Sequence, residues 1–141
     1  MKRVFAIALF AAFVLAGCGG SGRLTHAEFV KRADALCGKS VAKLRVLKNP
    51  SSIPELVVYL KKAKPIRRSF LAEARNLKPP AKDEADWKRA LAFDDKVVAY
   101  YDEMESAAKR GDRAGLRRVS ASLRGLPAQN PYEQRLGLQG C

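Results

Sequence analysis

The sequence predicts an all-α fold: a compact four-helix up-down bundle with a C-terminal turn, following a cleaved signal peptide. Three observations lead there. Apolar residues recur at three- and four-residue spacing through four long segments. Capping signatures stand at the heads of these segments and Pro or Gly at their ends. No run alternates apolar and polar residues between hairpin turns, and no repeat of about 20–50 residues recurs.

The chain has 141 residues, enough for one ordinary domain. Lys and Arg number 27 against 14 Asp and Glu, a formal net charge of +13. At 48% hydrophobic residues the chain has the material for a packed core, which argues against disorder despite the charge. One His and three Cys are too few for an ordinary metal site. No metal and no cofactor are therefore expected.

Residues 1–17 read as a lipoprotein signal peptide. Lys2 and Arg3 form a positive start, and Val4 to Leu15 is an uncharged apolar run. That run is shorter than the roughly 20 residues a spanning helix needs. It ends in Leu15-Ala16-Gly17-Cys18, the pattern of a bacterial lipobox. Small side chains at Ala16 and Gly17 suit a peptidase groove, with cleavage between Gly17 and Cys18. The Cys18 thiol would then carry a diacylglyceryl group by thioether attachment. Two acyl chains hold a protein stably on a membrane where one is marginal. The expected location is the extracytoplasmic face of a bacterial membrane. Residues 18–23, with Gly19-Gly20-Ser21-Gly22, form a short flexible tether, which keeps the domain close to the headgroups. Gly19 occupies the position where Asp acts as a retention signal in two-membrane cells, so the choice of membrane stays open.

Residues 24–141 form the predicted helical bundle domain. Thr25-His26-Ala27-Glu28 is a capping box. Phe29, Ala33, Leu36, Cys37, Val41, Leu44 and Leu47 follow at helical spacing, and Asn49-Pro50 stops the helix. Ser52-Ile53-Pro54-Glu55 is a second capping box, with Pro in the first turn. Ile53, Leu56, Val57, Leu60, Ala63, Phe70, Leu71, Ala74 and Leu77 continue it to Pro79-Pro80. Pro65 falls inside and predicts a kink or a split. The third segment runs from about Lys82 to Arg110 with a broad apolar face that includes Trp87, Leu91, Val98, Tyr101 and Met104. Gly111 is its C-cap candidate and Asp112 the next N-cap. Leu116, Val119, Leu123 and Leu126 make a narrower stripe up to Pro127. Asn130-Pro131-Tyr132-Glu133 opens one last turn, closed by Gly137, and the connections are short enough for antiparallel neighbours.

Cys37 and Cys141 remain after cleavage, 104 residues apart. In an oxidising compartment a disulfide persists. An intramolecular bridge is the expected state, with two free thiols or an intermolecular bond as the alternatives. No CxxC redox pair is present.

The chain resembles a loose class of small secreted or lipid-anchored bacterial helical domains. The shared features are Ala33-Asp34-Ala35-Leu36-Cys37, Leu77-Lys78-Pro79-Pro80, Gly111-Asp112 and Gly137-Leu138-Gln139-Gly140-Cys141, together with the lipobox. The resemblance implies a helical domain with Cys37 paired to Cys141, and implies no activity.

Candidate chemistry is sparse. His26, the only imidazole, is expected on the surface. Asp94 and Asp95 interrupt the apolar face of the third helix. Asp94 shares a face with Trp87 and Tyr101, and its expected role is an ion pair with a neighbouring Arg rather than tuned acid–base catalysis. The cluster of Trp87, Phe93, Tyr100, Tyr101 and Met104 is expected to be core, its breadth leaving room for a partner helix or a small apolar ligand.

Charge is uneven. Residues 18–82 hold fifteen basic and four acidic side chains, residues 83–105 three and eight, and residues 106–141 seven and two. Lys61, Lys62, Lys64, Arg67 and Arg68 cluster on the second segment. Lys109, Arg110, Arg113, Arg117 and Arg118 cluster around the third and fourth. If they converge they form a basic surface for anionic lipid, a wall polymer or an envelope protein. Nucleic acid is not an expected partner outside the cytoplasm, and no nucleic-acid motif is present. The functional expectation is a lipid-anchored, non-catalytic cell-envelope protein that binds an envelope component through this surface. Alternatives are a cell-wall-active hydrolase using a carboxylate pair, and a structural or protective lipoprotein without a discrete ligand.

Overall fold

The computed structural model describes residues 22–141. Gly17, Cys18, the signal peptide and most of the tether lie outside the described residues. The domain is all-helical: α1 (His26–Arg45), α2 (Ile53–Arg75), α3 (Glu84–Lys109), α4 (Arg113–Arg124) and α5 (Pro131–Arg135). None of these helices is long and apolar enough to cross a membrane.

The caps explain the boundaries. Thr25 accepts from the Glu28 N–H, and the Glu28 carboxylate accepts from the Thr25 N–H at 2.9 Å, a complete capping box. At α2 only half of the second box forms. Ser52 accepts from the Glu55 N–H, but the Glu55 carboxylate reaches past the cap to the N–H and hydroxyl of Ser51. Helix α3 starts at Glu84, two residues after the expected start, because Pro79-Pro80 and a turn occupy the approach. Gly111 takes φ +67°, the left-handed conformation that ends α3 without a Cβ penalty. Asp112 then caps α4 by accepting from the Gly115 N–H at 2.7 Å. Helix α2 runs unbroken through Pro65, so the segment does not split into two helices.

Consecutive long helices run antiparallel. Lys39 on α1 meets Glu73 on α2, and Lys48 beyond α1 meets Glu55 at the start of α2. Arg75 at the end of α2 meets Asp95 on α3, while Lys64 further back meets Asp102. Backbone packing joins α1 to α2, α2 to α3, α3 to α4 and α3 to α5. Helix α4 therefore packs on α3 alone and does not reach α1. Its stripe of Leu116, Val119 and Leu123 is only half-buried, and Gly115 is the one fully buried residue of α4. The core belongs instead to α1, α2, α3 and the C-terminal turn.

That core gathers Phe29, Ala33, Cys37, Phe70, Leu71, Ala74, Trp87, Ala90, Val98, Leu136 and Leu138. Phe29 meets Trp87 edge-on, ring centroids 5.1 Å apart, which ties α1 to α3. The C-terminal tail closes over α1. Asp34 accepts the backbone N–H groups of Gln139 at 2.8 Å and Gly140 at 2.9 Å, and Cys37 is bonded to Cys141 with Cα atoms 4.7 Å apart. The intramolecular disulfide is thus the state in the fold.

Candidate functional site

Two places concentrate chemistry: the basic end of the domain and a buried acidic cluster under the disulfide.

The basic end is set by helix direction. The chain approaches the fold beside the α2–α3 connection. There the Leu24 N–H donates to the Lys78 carbonyl at 2.8 Å, and Arg23 donates to the Pro79 carbonyl and pairs with Glu84. Helix α3 leads away from this point for 26 residues, about 39 Å at 1.5 Å per residue. Because α2 runs antiparallel, Lys61 and Lys62 lie at the far end, with Lys109, Arg110 and Arg113.

The two clusters meet there at Glu105. Its carboxylate takes Lys64 from α2 and Lys109 from its own helix, the latter at 2.6 Å. Those two ammonium groups hold Glu105 down to about 2, against a small opposing effect of burial. Asp102 beside it accepts from Lys64 at 2.9 Å and from Arg68 at 2.8 Å, and is also held below the usual carboxylate range.

The expected basic surface therefore divides. Lys64, Arg67 and Arg68 do not face solvent as free cations: α3 supplies Asp94, Asp102 and Glu105 as their partners. Segment-by-segment charge counts hid this, because the acids of α3 are distant in sequence and adjacent across the helix pair. Arg118 approaches Asp112 at 4.0 Å. Lys61, Lys62, Arg110, Arg113 and Arg117 have no carboxylate partner among the described residues, and all five are exposed. A groove of about 490 Å³ between α3 and α4, lined by Asp102, Ser106, Arg110 and Arg118 among others, opens beside them.

The acidic cluster lies at the other level of the core. Asp94 is 6% exposed and Glu133 is 8% exposed. Burial is the main reason that the Asp94 carboxyl is raised, with the Arg67 guanidinium 3.7 Å away opposing it. Burial first, then the Asp94 charge, push Glu133 up to about 8. Glu133 therefore keeps its proton to higher pH than an ordinary Glu, with Asp94 as its acidic neighbour. Asp94 has the Arg partner expected of it; Glu133 was missed. In sequence Glu133 stands only within the last turn, which Asn130 caps by accepting from the Tyr132 N–H. The side-chain amide of Asn130 also donates to the Ala90 carbonyl at 3.0 Å, which locks α5 onto α3.

Asp94, Glu133, Arg67, Ser40 and the Cys37–Cys141 bridge line a cavity of about 30 Å³. Ser40 Oγ, Arg67 Nε and Asp94 Oδ2 are buried without a hydrogen-bond partner among the described residues. The cavity has room for about one or two water molecules and none for a sugar ring. A Glu133 oxygen and both sulfurs lie within 4.8 Å of one another, but sulfurs joined in a disulfide are not thiolate ligands. His26 is half-exposed and its Nδ1 lies 2.6 Å from Asp83 Oδ2, a link between α1 and the start of α3.

Comparison with protein families, curated proteins and solved structures finds no match to this chain.

Proposed function

We propose that this chain is a lipid-anchored protein of the bacterial cell envelope. It is held to the membrane through Cys18 and binds an anionic envelope component, without catalysis, at the end of the bundle furthest from its tether. The observation that supports it is the separation of two features along α3. The chain joins the fold at Lys78 and Pro79, beside the α3 N-terminus. The exposed cations Lys61, Lys62, Arg110, Arg113 and Arg117 stand at the opposite end of a helix about 39 Å long. With only three residues between Cys18 and Gly22, the four steps of the tether reach at most about 14 Å. With the bundle upright on that tether, those cations point away from the supporting bilayer, which favours a wall polymer or an envelope protein over that bilayer's headgroups.

The test has two parts. Mature protein from the producing cell should carry a diacylglyceryl mass on Cys18 and partition into detergent, and Cys18→Ser should stay uncleaved or soluble. Binding to isolated cell-wall material should fall steeply with salt, because exposed charge is screened over about 8–10 Å at physiological ionic strength. Charge reversal at Lys61, Lys62, Arg113 and Arg117 should weaken binding, whereas reversal at Lys78 and Lys82 should not. Unmodified soluble protein, or equal loss from both sets of variants, would refute the proposal.

A hydrolase would need a carboxylate pair open to a substrate. Asp94 and Glu133 are a pair, but their cavity of about 30 Å³ admits no sugar, so they do not favour that alternative.

A further inference from the structure

Among the described residues, Val46 and Val58 are the large hydrophobic side chains left exposed, at 82% and 54%. Twelve positions apart in sequence, they line the same groove. It holds about 310 Å³ between the α1–α2 connection and the first turns of α2, with Leu47 and Tyr59 in its wall. Isolated surface hydrophobics are ordinary, whereas two that converge on one concave site mark a contact surface.

Glu55 joins the connection to α2 at the side of the groove. Lys48 Nζ bonds Glu55 at 3.1 Å and so ties the connection to α2. Ser51 donates its N–H to the same carboxylate at 2.8 Å and its hydroxyl at 2.6 Å. These three bonds occupy Glu55, the one acid in the groove wall. Around it stand Lys62 in the wall and Lys43, Arg45 and Lys61 nearby in sequence, all exposed and without a carboxylate partner among the described residues. The site offers an apolar floor inside a positive rim.

Three occupants can be compared. A second copy of the chain would bring Lys43, Arg45, Lys61 and Lys62 against their own images, and like charges repel. With the bundle standing upright on its tether, the supporting bilayer is out of reach. Helix α1 leads from the tether end to Val46 over 20 residues, about 30 Å, against at most about 14 Å of tether. A protein segment carrying an apolar side chain between carboxylates matches both the floor and the rim.

We propose that the Val46–Val58 groove docks such a segment: an apolar side chain flanked by Asp or Glu on a partner envelope protein. This rests on the lipid-anchored binding function above and names the chemistry of its partner. The floor gives the segment its specificity, and the lysines steer its approach.

The lipidated full chain, methyl-labelled at valine and held in nanodiscs, can be titrated with three probes. They are a synthetic peptide with Leu between Glu residues, the same peptide with Lys in place of Glu, and polyglutamate. The Glu–Leu peptide should shift the Val46 and Val58 methyl signals, and the Lys version should shift neither. Val58→Ser should weaken the Glu–Leu peptide about fivefold without loss of fold, since Val58 is exposed. Still Val46 and Val58 signals with the Glu–Leu peptide, or shifts of equal size with either other probe, would overturn the proposal. Polyglutamate bound through Lys61, Lys62, Arg113 and Arg117 with both methyl signals still would overturn this inference alone. Loss of that binding too would overturn the envelope-binding function with it.

Discussion

Glu133 on α5 and Asp94 on α3 lie buried side by side, lining one small cavity together with Arg67. In the folded chain Glu133 ionises at about 8, against 4.5 for an ordinary Glu. The folded state therefore holds more protons than the unfolded state across that window. This stabilisation is fully present below about 4.5 and is lost as pH rises through about 8. The raised Asp94 acts in the same direction. Denaturant unfolding followed from pH 5 to pH 8.5 should show stability falling, and Glu133→Gln should flatten that slope. A slope unchanged in Glu133→Gln would refute the assignment.

The Cys37–Cys141 bond closes a loop of 104 residues. On chain-entropy grounds such a closure stabilises a fold by about 4–5 kcal/mol. Reduction, or Cys141→Ala, should lower the thermal midpoint markedly and loosen residues 136–141 in hydrogen exchange before α2 and α3. Retention of the midpoint after full reduction would show that the core of α1, α2 and α3 does not need its tail.

Gly140 passes so close to α1 that a Cβ there would stand 2.7 Å from the Asp34 carbonyl oxygen. Gly140→Ala should therefore push the tail off α1 and disturb the Asp34 bonds to the Gln139 and Gly140 N–H groups. A loss of about 1–2 kcal/mol is expected, in the range of overpacked cores. The same substitution at Gly38, where a Cβ would meet nothing within 4 Å, is the control and should cost nothing.

Pro65 is exposed in the middle of α2 and cannot donate the helical hydrogen bond to the Lys61 carbonyl. Pro65→Ala restores that bond and should raise stability by about 1–3 kcal/mol in thermal unfolding. Destabilisation would mean that packing of α2 against α1 and α3 depends on the bend a proline imposes.

Much of the local architecture was legible. Thr25 with Glu28, Gly111 with Asp112, and Asn130 before Pro131 are short-range signals, and each marks the helix end it suggested. What sequence could not supply was the pairing across helices. Lys64, Arg67 and Arg68 looked like part of one basic patch, because Asp94, Asp102 and Glu105 are remote in sequence and opposite in space. Glu133 stood only as part of the last turn, because nothing local says that α5 brings it beside Asp94. The stripe on α4 suggested a bundle member, yet only its distance from α1 in three dimensions reveals that it leans on α3 alone. Val46 and Val58 drew no notice because exposure, unlike periodicity, is a property of the assembled fold.

The proposed orientation puts the tether end against the membrane and the Lys61–Arg113 end away from it. Lysine acylation of the lipidated chain on its own membranes, read out by peptide mass spectrometry, measures that direction. Lys61 and Lys62 should react as fast on the membrane as in detergent, while Lys78 and Lys82, beside the point where the chain joins the fold, should be slowed several-fold. Protection of Lys61 and Lys62 by bare membrane, with Lys78 and Lys82 free, would contradict the account.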